Sequence, residues 1–448
     1  MKNEKINYIL SGDNSSRFDA LEIQIGQKKS KSPIGNVTKE EVNHFDEPQN
    51  LQENIRFNYT FCELKKIAEL YGFNESKEKF NTFLLQAIQY CGIRIGDEAA
   101  LQYVKTISGF PKKFRYFRIA GLWGTTRLTI RIVPDQWTGR FTSNFVLKGS
   151  EMWIDDYFIG ELKAIFTGSS LYNLAYVTEN QNSEKILSIN PLQKCAQNCQ
   201  FCFKGSRAML SSFRDTLINL KADEMLRFLQ VEYPELDYSE LTELVVLTAR
   251  FRDTDQLISY ISEIYRGICK ISNGGFDPLT HSNQRIKVST HLLSDLDSMK
   301  RIFQVGVRRY IYPIEIFSNK LRRKYMVSPF YEKGSNKGDV SIEEIYKSLN
   351  IATSIFGIEN IEPVIILGID TYKNTKKGIT TLKSIGLKLL THNTFRVYDS
   401  DQMEMYHMSF EELVDIQQFL LDNFEANFSQ KITSNLPKYF NKYQDIKG

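Results

Sequence analysis

Cysteine is scarce in this chain, with six residues among 448, too few and too clustered for the disulfide framework of a secreted protein. The first residues lack the continuous apolar region of a signal peptide, and no apolar run approaches the roughly 18 residues of a membrane span. Positive charge shows no large excess, because 57 Lys and Arg face 53 Asp and Glu. We therefore expect a cytoplasmic protein with reduced thiols and no membrane partner; nucleic acid stays open as a partner but is not favoured.

The composition is that of a folded protein, with 42% apolar and 12% aromatic residues, and the length predicts two or three domains. Residues 1–55 are polar without sustained periodicity and are expected to form a loose arm. Residues 56–180 show helical spacing followed by two-residue alternation, which predicts an α+β N-terminal domain that caps the core or recognises substrate. A core over 181–430 and a C-terminal tail over 431–448 complete the prediction.

Apolar, β-branched runs and helix-like segments alternate six times after residue 180. This pattern predicts βαβ units and a parallel sheet. Six strands are fewer than the eight of a closed barrel, so the predicted fold class is α/β, a partial (β/α)6 TIM-type barrel. The predicted strands are residues 185–190, 241–248, 285–290, 308–317, 361–369 and 387–398.

Three of the six cysteines, Cys195, Cys199 and Cys202, form a Cys-x3-Cys-x2-Cys run directly after the first predicted strand. In an α/β barrel the carboxyl ends of the strands are where chemistry is placed. Three thiolates on a four-iron cluster leave one iron without a protein ligand, and that iron can chelate a substrate or cosubstrate. The run therefore predicts an iron–sulfur site with an open coordination position.

A zinc site and a set of buried apolar thiols are the alternatives for this run. Structural zinc needs a fourth ligand, usually from a second Cys/His pair, and neither a second CxxC nor a nearby histidine is present in the sequence. The remaining cysteines, Cys62, Cys91 and Cys269, lie in helix-like stretches and are expected to be buried. One cluster is thus predicted, and a non-catalytic zinc-binding protein stays an alternative.

The run CAQNCQFCF, with Phe201 just before the third cysteine, resembles the signature of the radical S-adenosylmethionine (SAM) superfamily. The resemblance covers roughly residues 185–425 and says nothing about the first 180. It implies a 4Fe–4S cluster on the three cysteines and SAM bound to the open iron. It also implies reductive cleavage to a 5′-deoxyadenosyl radical, an electron donor such as flavodoxin or ferredoxin, and a partial barrel.

The same resemblance implies residues that bind SAM at the ends of later strands. Thr248 stands where many members carry a Gly-Gly-Glu stretch that anchors the SAM amino group. Glu315, paired with Arg322 or Arg323, matches a carboxylate on the SAM ribose and a basic residue on the SAM carboxylate; a structural Glu–Arg pair is the alternative. Gly368 lies on the strand against which adenine packs in the family, and a simple bulge would explain it equally.

The end of the sixth strand carries His392, Asn393, Arg396 and Tyr398. These residues form a candidate substrate-contact set at the barrel mouth. The alternative is that alternate members face the outer helices, because successive side chains on a strand point to opposite sides.

A small-molecule substrate, in natural-product or cofactor biosynthesis, is the predicted target of the radical chemistry. An RNA- or peptide-modifying radical SAM enzyme is the alternative within the class. The basic and aromatic segment 112–118 would suit RNA, although core packing explains its aromatics at least as well.

Overall fold

The computed structural model describes most of the chain between residues 57 and 424. The polar arm, the C-terminal tail, Arg396 and Tyr398 lie outside the described residues. The described ranges are 57–108, 118–123, 126–133, 143–164, 174–179, 184–195, 197, 199–202, 218–251, 253–327, 336–395 and 404–424.

The N-terminal region combines three helices with a seven-stranded mixed sheet. Helix α1 begins at a capping box, in which the Thr60 hydroxyl accepts from the amide of Glu63 and the Glu63 carboxylate accepts from the amide of Thr60. The helices are α1 (Phe61–Leu70), α2 (Lys77–Cys91) and α3 (Glu98–Ser108). The strands are β1 (Ile93–Ile95), β2 (Arg118–Trp123), β3 (Thr126–Val133), β4 (Phe145–Lys148), β5 (Glu151–Ile154), β6 (Tyr157–Glu161) and β7 (Lys163–Ala164).

The strand order of this first sheet is β6-β5-β4-β1-β3-β2-β7. Most neighbours are antiparallel, as the alternating pattern predicted, but β1 pairs in parallel with both β3 and β4. Strand β1 comes directly from helix α2, so it enters the middle of the sheet from the helical layer rather than through a hairpin.

A second seven-stranded sheet follows, in the order β14-β13-β12-β11-β10-β9-β8. The six predicted parallel strands are all present, and the partial barrel is confirmed. An antiparallel edge strand, β8, is added to them; the sequence had placed it in the N-terminal domain. The strands are β8 (Ala175–Glu179), β9 (Lys185–Ile189), β10 (Leu241–Leu247), β11 (Arg285–Ser289), β12 (Val307–Glu315), β13 (Ile361–Leu367) and β14 (Thr391–Thr394).

Helices follow the barrel strands, and all of those described except the first begin at a side-chain cap. Asp253 accepts from the amide of Gln256 at 2.8 Å, and Ser341 and Glu344 form a capping box. The helices are α4 (Ala222–Glu232), α5 (Thr254–Ile271), α6 (Leu296–Gln304), α7 (Asn319–Tyr325), α8 (Ile342–Phe356), α9 (Tyr372–Ser384) and α10 (Phe410–Asn423). Short 3-10 turns occur at Tyr238–Glu240, Lys337–Asp339 and Ile358–Asn360.

The two faces of the barrel sheet differ in their surroundings. Tyr312 on β12 faces the helices, because its hydroxyl donates to the carbonyl of Ile345 on α8 at 3.1 Å. Side chains alternate along a strand, so Arg309 and Ile311 point to the opposite side. We call that side the concave face; Lys287 on β11 is the register partner of Arg309 and shares it.

The N-terminal region packs on the segment that leads into α10. The Tyr90 hydroxyl donates to the carbonyl of Met408 at 2.7 Å, and the amide of Phe410 donates to the Tyr59 hydroxyl at 3.1 Å. Burial of both tyrosines against this segment joins the two sheets into one structure. Among the helices that the structure describes, none is both long and apolar enough to cross a bilayer.

Candidate active site

The three clustered cysteines lie on the loop after β9, at the carboxyl end of the barrel. Cys199 is buried, whereas Cys195 and Cys202 are half-buried. The amide of Gln197 donates to the Cys195 sulfur at 3.4 Å, and the amide of Cys202 donates to the Cys199 carbonyl at 3.0 Å. These local bonds curl the loop.

Two other elements hold this cysteine loop. The amide and side chain of Gln200 donate to the carbonyls of Tyr325 and Lys324, at 2.8 and 3.1 Å, at the end of α7. From the end of β10, Arg250 donates to the side-chain carbonyl of Gln197 at 2.8 Å. The loop is therefore fixed between the second and fourth barrel strands.

Phe201, the aromatic residue of the motif, is 8% exposed and belongs to the hydrophobic core. The sequence predicted it as a cofactor-binding residue. Its burial gives it an anchoring role, because an aromatic side chain in the core holds the adjacent Cys202 in place.

The cysteine sulfurs share one electrostatic environment with a carboxylate and an amine. Burial, and next the Glu315 carboxylate, raise the pKa of Cys199 well above its ordinary value; Lys337 opposes the shift, and Cys202 and Cys195 add to it. A bound cation lowers the pKa of a thiol and turns it into a thiolate ligand. The donor set suits an iron–sulfur cluster in kind and position.

The sulfurs are nevertheless not gathered at metal-binding spacing. Within the described residues, no group of three or more His, Cys, Asp or Glu side chains is arranged to hold a metal ion. A cluster would therefore have to draw the three sulfurs together.

Glu315 ends β12 in the left-handed backbone region, with φ of 66°. That conformation is strained for a residue with a side chain and is typical of functional sites. The carboxylate forms an ion pair with Lys337 at 2.7 Å, and the two side chains are 19% and 11% exposed. Lys337 lies in a 3-10 turn beyond α7, and no periodicity or motif in the sequence pointed to it.

The two arginines predicted to pair with Glu315 lie elsewhere. Arg323 is exposed on α7. Arg322 is fully buried, and burial lowers its pKa to about 10, partly offset by Glu315. Its guanidinium donates to four backbone carbonyls, those of Ile314, Ile316, Lys337 and Val340, at 2.7 to 3.0 Å. Arg322 thus ties the end of β12 to the turn that carries the amine.

Thr248 and Gly368 lie where the sequence expected ligand contacts. The Thr248 amide donates to the carbonyl of Ser289 at 2.9 Å, while its hydroxyl is buried and has no partner in the described part of the chain. Gly368 has φ of 100° and accepts from the amide of His407 at 2.8 Å. A buried hydroxyl without a partner is costly, which favours a bound ligand at this position.

His407 was not selected from the sequence, where it is one of five histidines outside any motif. Both ring nitrogens are buried, and neither has a hydrogen-bond partner among the described residues. Burial lowers the pKa of His407 to about 4, and Lys324 acts in the same direction. The imidazole is therefore neutral at pH 7 and offers one donor and one acceptor.

The structure separates the members of the predicted substrate-contact set. His392 is the register partner of Ile365, is 4% exposed and faces the helices. Asn393 is the partner of Ile366 on the concave side and is exposed. Only Asn393 is thus brought to the concave face, while Arg396 and Tyr398 lie outside the described residues.

A further histidine, His291, lies just after the carboxyl end of β11. Burial, Arg250 and Lys337 lower the pKa of His291 to about 4. The ends of β10, β11 and β12 therefore supply one polar cluster beside the cysteine loop.

No family model matches this chain, and the comparison with curated proteins gives no match. Among solved structures, the chain is similar to HydG, a maturase of the [FeFe]-hydrogenase, with 13% identity over 49% of this chain and 44% of that one, at a TM-score of 0.35. It is similar to HemN, the coproporphyrinogen III oxidase of Escherichia coli and a radical SAM enzyme, with 14% identity over 53% and 52% and a TM-score of 0.35. Streptococcus suis SuiB, bound to its precursor peptide SuiA, gives 11% identity over 53% and 47% and a TM-score of 0.32. The chain spans about half the length of these structures.

Proposed function

We propose that this chain is a radical SAM enzyme with a single 4Fe–4S cluster on Cys195, Cys199 and Cys202. The observation that carries the proposal is the placement of these three thiols. They lie on a loop fixed at the carboxyl end of a partial barrel, in the same electrostatic environment as the Glu315–Lys337 pair. When bound, the cluster supplies one electron and an open iron that together convert SAM to methionine and a 5′-deoxyadenosyl radical.

In this proposal, different residues around the cysteine loop bind different parts of SAM. Glu315 accepts hydrogen bonds from the ribose hydroxyls, and Lys337, rather than Arg322 or Arg323, pairs with the methionine carboxylate. The unpartnered hydroxyl of Thr248 meets the amino group. Arg322 holds the end of β12 and the turn of Lys337 in register through its four carbonyl contacts.

The substrate in this proposal is a small molecule in natural-product or cofactor biosynthesis, and a flavodoxin or ferredoxin supplies the electron. The near-neutral net charge of +4 supports a small molecule over a phosphate backbone as the substrate. In this proposal the substrate binds at the concave face of the barrel, below the cysteine loop.

The test is anaerobic reconstitution of the full chain with iron and sulfide. We expect iron–sulfur absorbance in the wild type, its loss in a Cys195/Cys199/Cys202→Ala triple variant, and release of 5′-deoxyadenosine from SAM under dithionite. The matched control is the Cys62→Ala/Cys269→Ala variant, which removes thiols outside the loop and should retain both signals.

Iron–sulfur absorbance that survives the triple substitution would contradict the proposal. Zinc by elemental analysis, with no iron after anaerobic purification, would select the zinc-binding alternative. An intact cluster without 5′-deoxyadenosine would contradict radical initiation.

A further inference from the structure

The amino-terminal half of the concave face is lined with charges, and most of them are paired. Arg285 on β11 forms an ion pair with Glu243 on β10. Lys287 on β11 forms an ion pair with Glu362 on β13 at 2.6 Å, and both side chains are 15% exposed. Thr391 on β14 donates to the second oxygen of Glu362, so each oxygen of this carboxylate has a partner.

Arg309 on β12 is the exception on this face. It is the register partner of Lys287, so two cations lie side by side. Its Nε atom is buried without a hydrogen-bond partner, and within the described part of the chain no carboxylate forms an ion pair with it. Arg309 does act on Glu362: burial raises the pKa of this carboxyl, but Lys287, and more weakly Thr391 and Arg309, lower it below its ordinary value.

Within the described residues, the group formed by Lys287, Arg309 and Glu362 carries one excess positive charge, whereas Arg285 pairs with Glu243 and lies 3.8 Å from Glu184. Lys287 and Arg309 supply two positive charges, and Glu362 supplies one negative charge. The buried Nε–H of Arg309 lacks an acceptor, which is costly. The fork of donors on a guanidinium matches a carboxylate in two parallel hydrogen bonds. A single excess charge suits a monoanion better than a phosphate ester, which carries about −1.5 to −2.

We propose that Arg309 binds the carboxylate of a small organic acid inside the barrel, and that this acid is the enzyme's substrate. The identification of this acid as the substrate rests on the proposed function, whereas the carboxylate site does not. Glu315 lies six positions after Arg309 on β12, about 20 Å along the strand. The substrate is therefore elongated, with its carboxylate held deep in the barrel and its reacting carbon toward the cysteine loop.

Arg308 provides a matched control on the same strand. It faces the helices, where its guanidinium donates to the carbonyl of Phe303 at 2.7 Å and lies 4.4 Å from the centre of that ring. Without added anion, Arg309→Gln should leave the unfolding temperature of the reconstituted protein unchanged or higher, whereas Arg308→Gln should lower it. A drop in Arg309→Gln as large as that in Arg308→Gln would make Arg309 structural and overturn the proposal.

The binding test uses acetate, with the isosteric neutral acetamide as its control, at constant ionic strength. A ligand that binds only the folded state raises the unfolding temperature. We expect tens of millimolar acetate to raise it by about 2 °C or more in the wild type and in Arg308→Gln, and not in Arg309→Gln. Acetamide should have no effect on any of the three proteins.

An equal acetate effect in Arg309→Gln, or none in the wild type, would overturn the carboxylate site. This readout needs neither SAM nor turnover. Loss of the iron–sulfur signal would contradict the proposed function alone, and loss of the acetate effect would contradict this site alone.

Discussion

The two ends of the barrel strands are built differently. At the amino ends, opposite charges pair across the sheet, between β10 and β11 in Arg285–Glu243 and between β11 and β13 in Lys287–Glu362. At the carboxyl ends lie groups that cost stability, such as the strained Glu315 and the unpartnered imidazole of His407. The difference indicates that the paired charges at the amino ends stabilise the fold, with Arg309 as the exception, whereas the carboxyl ends keep polar groups ready for a ligand.

Breaking a pair at the amino ends should therefore cost stability and spare cofactor binding. Glu243→Gln leaves Arg285 without its buried carboxylate, and the free energy of unfolding should fall by about 3 kcal/mol. Urea unfolding measures the loss, and SAM affinity measured by equilibrium dialysis should stay unchanged. The control Asp223→Asn removes the exposed pair with Arg227 and should change stability little; an equal loss in both variants would remove the contrast.

At the carboxyl ends, the buried imidazole of His407 should make the free energy of unfolding depend on pH. Because His407 is held neutral, with its pKa at about 4 instead of 6.5, the folded state binds fewer protons than the unfolded state between these values. Its contribution is present above pH 6.5 and is lost as pH falls toward 4, by about 3 kcal/mol. The free energy of unfolding is measured by urea titration from pH 7 to 4 in the wild type and in His407→Leu. The variant should lose about 3 kcal/mol less than the wild type over this range. An equal loss in both proteins would show that His407 is not held neutral.

The role of the Glu315–Lys337 pair at the carboxyl ends can be tested by measuring SAM affinity. Lys337→Met should weaken SAM binding by about 10- to 100-fold, because a charge-assisted contact to the methionine carboxylate is lost. Equilibrium dialysis with the reconstituted protein measures the affinity. Arg323→Gln is the control; if it weakens SAM binding more than Lys337→Met does, the assignment based on sequence spacing is correct and that based on the ion pair is wrong.

The smallest expected effect is that of a single hydroxyl. Thr248→Val should lower SAM affinity about three- to five-fold while leaving stability unchanged, since the hydroxyl has no partner to lose within the described residues. Thr242→Val on the same strand removes a hydroxyl that donates to the carbonyl of Lys185 at 3.1 Å. That variant should lose stability and keep its affinity for SAM, and the opposite outcome would reverse the roles of the two ends.

The barrel could be predicted because each buried strand and amphipathic helix carries its own period. The order of β9 to β14 follows from six such alternations. Strand β8 was assigned to the wrong sheet, since a short alternating strand fits either, and its pairing with β9 decides the matter. Tertiary pairing of this kind leaves no local mark in the sequence.

The candidate site could be predicted only where a motif fixed the spacing. The cysteine loop was found in this way. Arg322 was expected at Glu315, but spacing does not show direction, and the side chain turns under the strand end to bond backbone carbonyls. Because side chains alternate along a strand, one of His392 and Asn393 had to face the concave side, but the sequence did not show which one. Lys337 lies in a turn remote from any motif, so only the folded chain brings it to Glu315.

The contact between the Tyr90 hydroxyl and the Met408 carbonyl joins positions 318 residues apart. During synthesis the N-terminal region leaves the ribosome long before its partner segment exists. The segment that carries His407 can reach its place only after the residues up to Met408 have been made, because contacts of such long separation form late. The contact that seats His407 is therefore completed long after the cysteine loop has been synthesised.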